Sequence, residues 1–215
     1  MSHIVIQDAL YKAESVRKLD QLATASLSSS PNITLMKRAG RAAFNELLEA
    51  FGTPSLITVF CGSGNNAGDG YIVATLAAEK SLAVRVVELS LAAKLSADAA
   101  VARDYAVNAG VIFAPFNETI DLSEGVVVDA LLGIGATGPM REPYGAAIEM
   151  INQAALPVLA IDLPSGLYAD SGAAADAAVS ADVTVTFVAA KQMPVKTKAT
   201  EVMRGKNSEP NCCPG

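Results

Sequence analysis

The chain has 215 residues, 51% of them hydrophobic and 18% charged, which is enough for one globular domain with a sizeable buried core. A net charge of -6 argues against a nucleic-acid partner, and no apolar run approaches the roughly 18 residues that a membrane-spanning helix needs. The sole histidine, His3, argues against a Ser-His-Asp triad or a multi-histidine metal site, and the three cysteines do not build a disulfide framework, so we expect a reduced, cytoplasmic setting.

Two helices come first in the predicted order. Apolar residues at helical spacing predict one helix over residues 14–25 and a second over residues 34–51, separated by the polar break SLSSSPN. Gly52 and Pro54 are expected to end the second helix.

From residue 55 onward, short apolar strands alternate with helices. Strands are predicted at residues 56–61, 83–89, 111–113, 126–132, 157–162 and 182–188. Helices are predicted at residues 70–80, at 144–154 and from a cap at Ser96 to Asn108. Strands that are apolar throughout favour a parallel sheet that is covered on both faces.

This pattern predicts a single α/β domain over residues 1–191. We expect a Rossmann-like, doubly wound, mostly parallel sheet with helices on both faces, preceded by the two N-terminal helices. Residues 192–215 are polar and end in a run rich in proline, glycine and cysteine, so we expect a disordered tail without a functional site.

Three predicted strands run into unusual loops. GSGNNAGDG follows the first strand, GIGATGPMREPYG follows the VVVDALL strand, and LPSG follows PVLAID. In a doubly wound sheet, ligands bind beyond the carboxyl ends of the strands where the strand order switches. The three loops are therefore expected to share one edge of the sheet.

The first loop predicts an anion site. Gly62, Gly64 and Gly68 allow close approach of the backbone, and a helix that starts near Gly70 offers unpaired N–H groups to a phosphate. The alternatives are a tight turn without a ligand and, for Asp69, a helix cap. The Lys-Ser/Thr of a P-loop is absent.

The same glycines come close to a dinucleotide-binding fingerprint. Their spacing is one residue too long, and Glu88 stands where a ribose-binding acid belongs. The alternative for Glu88 is a solvated strand end. Arg141 either faces a phosphate or pairs with Glu142, and Cys61 is expected to be a small core residue rather than a nucleophile.

Asp129 and Asp162 each close an apolar strand. A carboxylate in that position costs free energy unless it meets a cation, a hydrogen-bond donor or a ligand hydroxyl. Each can alternatively be a structural aspartate that accepts N–H bonds from the following loop. Two such residues at one edge, beside Asn66 and Ser165, favour a site, and the oxygens of Asn66, Asp129 and Ser165 suit a hard cation.

With these strings in view, the chain resembles the YjeF N-terminal domain family, the NAD(P)H-hydrate epimerases, over roughly residues 10–191. The resemblance rests on NNAGDG, VVDALLGIGATGPMREPYG, IDLPSG, ADVTVTF followed by Lys191, and the early LMKRAGRAA. It implies an enzyme that interconverts the R and S forms of hydrated NADH and NADPH, called NADHX and NADPHX, so that an S-specific dehydratase can restore the cofactor. It also implies a homodimer and bound potassium.

The resemblance also implies site residues. Those that bind the substrate are Asn65, Asn66, Ala67, Gly68, Asp69, Gly133, Ile134, Gly135, Ala136, Thr137, Gly138, Pro139 and Asp162. Asn66, Asp129 and Ser165 resemble the family's potassium site. We assign Asp162 the acid–base role as a hypothesis, because epimerising a carbon that bears a hydroxyl group moves protons at that oxygen. The likeness ends after Lys191.

Two other functions compete with the epimerase. Similar domains serve as dimerisation scaffolds without turnover, so a non-catalytic dinucleotide-binding or dimerisation module is the second hypothesis. A nicotinamide dehydrogenase is the third, but none of the five tyrosines has a lysine four residues later and no useful histidine is present. The intact set of Asn66, Asp69, Asp129, Asp162 and Ser165 favours the enzyme.

Overall fold

The computed structural model describes residues 31–90, 92–133, 140–168, 173–174, 177–187 and 200–203. The helices are α1 (Pro31–Phe51), α2 (Asn65–Glu79), α3 (Ala97–Asn108) and α4 (Tyr144–Gln153), with a short 3-10 helix at Ala92–Lys94. The strands are β1 (Ile57–Cys61), β2 (Val84–Glu88), β3 (Ile112–Pro115), β4 (Val126–Ala130), β5 (Val158–Ile161), β6 (Val183–Phe187) and β7 (Thr200–Met203).

The seven strands form one sheet in the order β3-β2-β1-β4-β5-β6-β7, and every neighbouring pair is parallel. The chain builds β1, β2 and β3 toward one edge and then returns to place β4 on the other side of β1. The strand order therefore switches between β1 and β4, where doubly wound folds bind their ligands. The predicted Rossmann-like sheet is confirmed.

Helices cover both faces of the sheet. Successive residues of β1 point to opposite faces, so Val59 joins the core under α1, α2 and α3, whereas Phe60 joins the core under α4. Because both faces are covered, all five residues of β1 and of β4 are buried. Ser96 caps α3 as predicted, since its Oγ accepts the N–H of Ala99 at 3.4 Å.

The structure corrects the predicted start of α2. The helix begins at Asn65 rather than near residue 70, so the segment NNAGDG is helical and its N-cap is Gly64. Glycine disfavours helices, which is why the sequence indicates a loop here. Close packing overrides that preference: a Cβ on Gly68 would lie 2.4 Å from Met36 Sδ, and a Cβ on Gly70 would lie 2.6 Å from the Cβ of Ala130.

The two ends of the chain complete the comparison with the predicted elements. The second predicted helix corresponds to α1, and the first, at residues 14–25, lies outside the described residues. Within the segment that was expected to be a disordered tail, Thr200–Met203 instead forms strand β7 and pairs with β6. Backbone hydrogen bonding along an open sheet edge, together with the β-branched Thr200 and Val202, favours a strand there. None of the described helices is both long and apolar enough to cross a membrane.

Candidate functional site

The carboxyl ends of β1 and β4 lie in close backbone contact. The N–H of Gly62 donates to the carbonyl of Ala130 at 3.2 Å, and a Cβ on Gly62 would lie 2.1 Å from the carbonyl oxygen of Leu131. Any side chain at residue 62 would push the two loops apart. Gly62 therefore allows the ends of β1 and β4 to lie in contact at the candidate site.

Asn66 carries an unpartnered buried oxygen. It lies in the first turn of α2 with 8% of its surface exposed, and its Nδ2 donates to the carbonyl of Leu132 at 2.9 Å. Its Oδ1 is buried and has no hydrogen-bond partner among the residues that the structure describes. Most buried polar atoms in proteins are paired, so an orphan acceptor at this edge favours a site for a donor or a cation.

Asp129 and Ser165 form a buried network that joins the ends of β4 and β5. Asp129 Oδ1 accepts from the Ser165 hydroxyl at 2.6 Å and from the N–H of Leu131 at 3.2 Å, while Oδ2 accepts from the N–H of Ser165 at 2.8 Å. The Ser165 Oγ in turn accepts from the N–H of Leu132 at 2.9 Å. The predicted alternative of a structural aspartate that accepts loop N–H bonds describes these contacts.

The carboxyl of Asp129 is electrostatically strained. It is completely buried, and burial raises its pKa from 3.8 to about 6, although the hydrogen bonds from Ser165 and Leu131 oppose that rise. A cation beside it would favour the ionised form.

Asp162 takes an unusual backbone conformation directly after β5. Its φ is +68°, the left-handed region that residues with a Cβ seldom adopt, and the N–H of Leu163 donates across it to the carbonyl of Ile161 at 2.8 Å, as in a γ-turn. Its own N–H donates to Val185 of β6 at 2.7 Å. Strained residues of this kind cluster at functional sites.

Gly133 lies close both to Asn66 at the start of α2 and to Asp162 after β5. A Cβ on Gly133 would lie 3.2 Å from Asp162 Oδ2 and 3.4 Å from the Cβ of Asn66. The exits of β1, β4 and β5 therefore meet at one place, as expected for the switch point. A larger residue at position 133 would fill the space between the amide and the carboxylate.

The other residues implied to bind the substrate lie in different settings. Ala67 and Gly68 are buried within the packing of α2, whereas the side chain of Asn65 is exposed. Asp69 is in the second turn of α2, so the helix-cap alternative for it is wrong. Residues 134–139, which include Ile134, Gly135, Ala136, Thr137, Gly138 and Pro139, lie outside the described residues.

Glu88 is neither a free ribose-binding acid nor a solvated strand end. Tyr71, which is fully buried, donates its hydroxyl to Glu88 Oε1 at 2.8 Å, and Arg103 donates to both carboxylate oxygens at 2.7 and 3.1 Å. Only 14% of the Glu88 side chain is exposed. The predicted solvated end is wrong because α2 and α3 supply these partners from other parts of the chain.

The remaining expectations concern Cys61 and Arg141. Cys61 is fully buried, and burial raises the pKa of its thiol well above the ordinary value, which confirms a core residue rather than a nucleophile. Arg141 and Glu142 are both exposed at the entrance to α4.

The oxygens around Leu132 are of the kind that a hard cation binds. Asn66 Nδ2 and Ser165 Oγ both approach the Leu132 carbonyl, at 2.9 and 3.3 Å, so the orphan amide oxygen, the serine hydroxyl and the Asp129 carboxylate belong to one cluster. Carboxylate, amide and carbonyl oxygens are the ligands that hard cations take in proteins. The described residues contain no group of three or more His, Cys, Asp or Glu side chains that could hold a metal ion.

Comparisons with known proteins agree with this fold. Residues 32–193 match the family described as YjeF-related protein N-terminus. The chain is 43% identical over 183 residues to the bifunctional NAD(P)H-hydrate repair enzyme Nnr of Coxiella burnetii, and the match covers 85% of this chain and 37% of that protein. It therefore spans well under half the length of that relative.

Two further matches cover most of the matched protein as well. The chain is 32% identical over 191 residues to the NAD(P)H-hydrate epimerase of Rhodopirellula baltica, which covers 87% of this chain and 78% of that protein. The crystal structure of yeast ynu0 superposes with a TM-score of 0.78 at 18% identity, covering 90% of this chain and 88% of that one, which shows a shared fold. Because the family match extends over well more than half of the sequence, the chain belongs to the YjeF-related protein N-terminus family.

Proposed function

We propose that this chain is an NAD(P)H-hydrate epimerase that interconverts the R and S forms of NADHX and NADPHX. The names of its relatives support this proposal, and the observation that carries it is the placement of the Asp162 carboxylate beside Gly133 and Asn66 at the switch point. In this role the enzyme supplies an S-specific dehydratase, which restores the reduced cofactor. The name of the bifunctional relatives is consistent with such coupling.

The chemistry requires a group that exchanges protons at the substrate hydroxyl. In one route, the hydroxyl oxygen gains a proton and leaves as water while the ring nitrogen forms a C=N bond, and water then adds to the other face and returns the proton. In the other route, the hydroxyl loses its proton, the C–N bond opens to an aldehyde as the nitrogen gains a proton, and the ring closes again. Asp162 is the proposed acid and base in either route.

The start of α2 is the proposed binding site for the diphosphate of the substrate. The N–H groups of the first turn and the positive end of the helix dipole favour an anion, and the exposed amide of Asn65 lies in the same turn. Asn66, Ala67 and Gly68 complete this turn and Asp69 follows in the next, and these residues are proposed to contact the substrate as well. Gly133 and residues 134–139 are also proposed to bind the substrate, on the basis of the family resemblance.

Potassium is the proposed bound ion, held by Asn66, Asp129 and Ser165. The unpartnered Oδ1 of Asn66 and the buried carboxyl of Asp129 support this assignment. When bound, the ion would offset the burial of that carboxylate and hold the loops after β4 and β5 in register with α2. A homodimer and a cytoplasmic location are further proposals that rest on the family resemblance.

The test is recovery of NADH from R-NADHX in the presence of excess S-specific, ATP-dependent dehydratase, with and without potassium. We expect recovery well above the uncatalysed rate, lower without potassium. Asp162→Asn should lose about 10² to 10⁴-fold, which is the usual contribution of a general acid–base group. Asp104→Asn, which changes an exposed carboxylate of α3, is the matched control and should leave the rate unchanged.

Recovery at the uncatalysed rate, from a wild-type chain that unfolds cooperatively, would contradict the epimerase proposal. The non-catalytic dinucleotide-binding or dimerisation scaffold would then be the better hypothesis. Full activity of Asp162→Asn would instead remove only the assignment of the acid–base residue.

A further inference from the structure

Ser96 joins the start of α3 to the segment between β1 and α2. Its N–H donates to the carbonyl of Ser63 at 3.1 Å, and its hydroxyl donates to Asn65 Oδ1 at 2.8 Å. The same hydroxyl oxygen accepts the N–H of Ala99 as the cap of α3. One residue therefore contacts both sides of Gly64, where the chain turns from strand to helix.

The hydrogen bonds of the Ser96 hydroxyl favour one orientation of the Asn65 amide. Its oxygen accepts the N–H of Ala99 and its single proton goes to Asn65 Oδ1, whereas with the amide reversed the oxygen would accept from Nδ2 and the hydroxyl proton would lose this acceptor. With Oδ1 held by Ser96, the two protons on Nδ2 are left for another acceptor, and no described residue accepts from them. Asn65 is exposed and stands in the first turn of α2, beside its own backbone N–H and that of Asn66, the kind of N–H group that a helix start leaves without an intrahelical partner; the N–H of Ala67 donates to the Gly64 carbonyl at 3.1 Å.

The Asn65 amide then presents donors beside the first backbone N–H groups of α2. Phosphate oxygens are acceptors only, so an amide turned the other way would present its oxygen to an anion and repel it. The difference in free energy between the two orientations depends on Ser96, because no other hydrogen bond of the Asn65 side chain is found among the described residues.

We propose that Ser96 is a positioning residue for substrate binding, which orients Asn65 so that Nδ2 donates to a diphosphate oxygen of the dinucleotide. The inference rests on the proposed function, since it concerns the same site. It assigns Ser96 no contact with the reacting atoms, so it predicts an effect on KM and on ligand affinity rather than on kcat.

The experiment is a double-mutant cycle of Ser96→Gly and Asn65→Ala. Glycine is a good helix cap, costing only a few tenths of a kcal/mol relative to serine, so this substitution removes the hydroxyl with little loss of the α3 terminus. We expect Ser96→Gly to raise the KM for NADHX about threefold to tenfold with kcat within twofold, which is the range of one lost hydrogen bond. In the Asn65→Ala background the same change should have no further effect, and Ser96→Thr should keep the wild-type KM.

The dissociation constant for NADH, which carries the same diphosphate, is measured on the same four proteins by calorimetry. Additive effects in the cycle, or a wild-type KM for Ser96→Gly, would overturn the inference while the epimerase stands. If the two substitutions have coupled effects on the dissociation constant for NADH but the wild-type chain does not turn over NADHX, the positioning role of Ser96 would be supported and the epimerase proposal would be overturned. A wild-type chain that neither binds NADH nor turns over NADHX would overturn both.

Discussion

Asp129 shows how burial and hydrogen bonding compete at a single carboxyl. Burial penalises its ionised form, whereas three donors from Ser165 and Leu131 favour it, and burial is the larger effect. The folded chain therefore holds this proton to about pH 6, whereas the unfolded chain releases it near pH 4.

This difference predicts how stability depends on pH. Below about pH 4 the carboxyl is protonated in both states, and above pH 6 it is ionised in both, so the free energy of unfolding should fall as the pH rises between these values and then level off. The contribution of Asp129 is roughly 3 kcal/mol. Urea denaturation at several pH values, in potassium-free buffer, measures it.

Asp129→Asn is the comparison for this measurement. The variant is expected to be less stable at low pH because its amide NH2 faces the donors of Ser165, but it lacks the ionisation and should show a smaller decrease from pH 4 to pH 6. Equal slopes for the two proteins would contradict the assigned pKa.

Individual residues also differ in how far the sequence predicts their role. The strand-end carboxylates Asp129 and Asp162 can be predicted, because a charged residue at the end of an apolar run is conspicuous. The partners of Glu88 were not, because Tyr71 and Arg103 lie 17 and 15 residues away and reach it only after α2 and α3 pack. Nor does any local pattern predict the left-handed conformation of Asp162.

At the scale of elements, α2 shows how packing between elements overrides a local sequence pattern. Its glycines predict a phosphate-binding loop, but Gly68 and Gly70 are inside the helix and lie against α1 and β4. Gly40 of α1 is similar, since a Cβ there would lie 2.5 Å from the Cβ of Ile72. Sequence rules for glycine rest on backbone conformation, and they do not report the distance to a neighbouring helix.

Gly70→Ala tests this packing. Alanine favours the helix by about 1 kcal/mol, but the new Cβ would lie 2.6 Å from the Cβ of Ala130 on a central strand that has little room to move. Overpacking of this kind costs about 1 to 3 kcal/mol, so we expect a net loss of stability and a melting temperature lower by several degrees. Thermal unfolding followed by circular dichroism measures it.

Two further variants separate packing from other causes. Ala130→Gly removes the opposing Cβ and should recover part of the loss in the double mutant. Gly64→Ala places its Cβ where no atom lies within 4 Å, so it should change stability by less than about 1 kcal/mol. If Gly70→Ala were as stable as the wild type, β4 would have to shift away from α2 more easily than the 2.6 Å distance to the Cβ of Ala130 indicates.

At the scale of the whole molecule, the layout was predictable and the order of the strands was not. Apolar runs without alternation indicate parallel strands, and their alternation with helices indicates a doubly wound sheet. Strand β7 was missed because Thr200–Met203 is a short stretch within polar sequence, and its pairing with β6 depends on an edge that forms elsewhere.

The proposed homodimer is also a property of the whole molecule. Sedimentation velocity across a range of protein concentrations should give one species of about twice the mass of the 22.1 kDa chain. A sedimentation coefficient that stays at the monomer value up to high concentration would contradict it.

The distance along the chain between the parts of the site affects how the protein is made. Asn66 bonds to Leu132, 66 residues later, and Leu132 bonds to Ser165, another 33 residues on. Ribosomes add roughly 5 to 20 residues per second, so α2 emerges several seconds before its partners. Until β5 has left the ribosome, the proposed site is incomplete in the nascent chain, so the proposed substrate could stabilise only chains whose synthesis has passed that point.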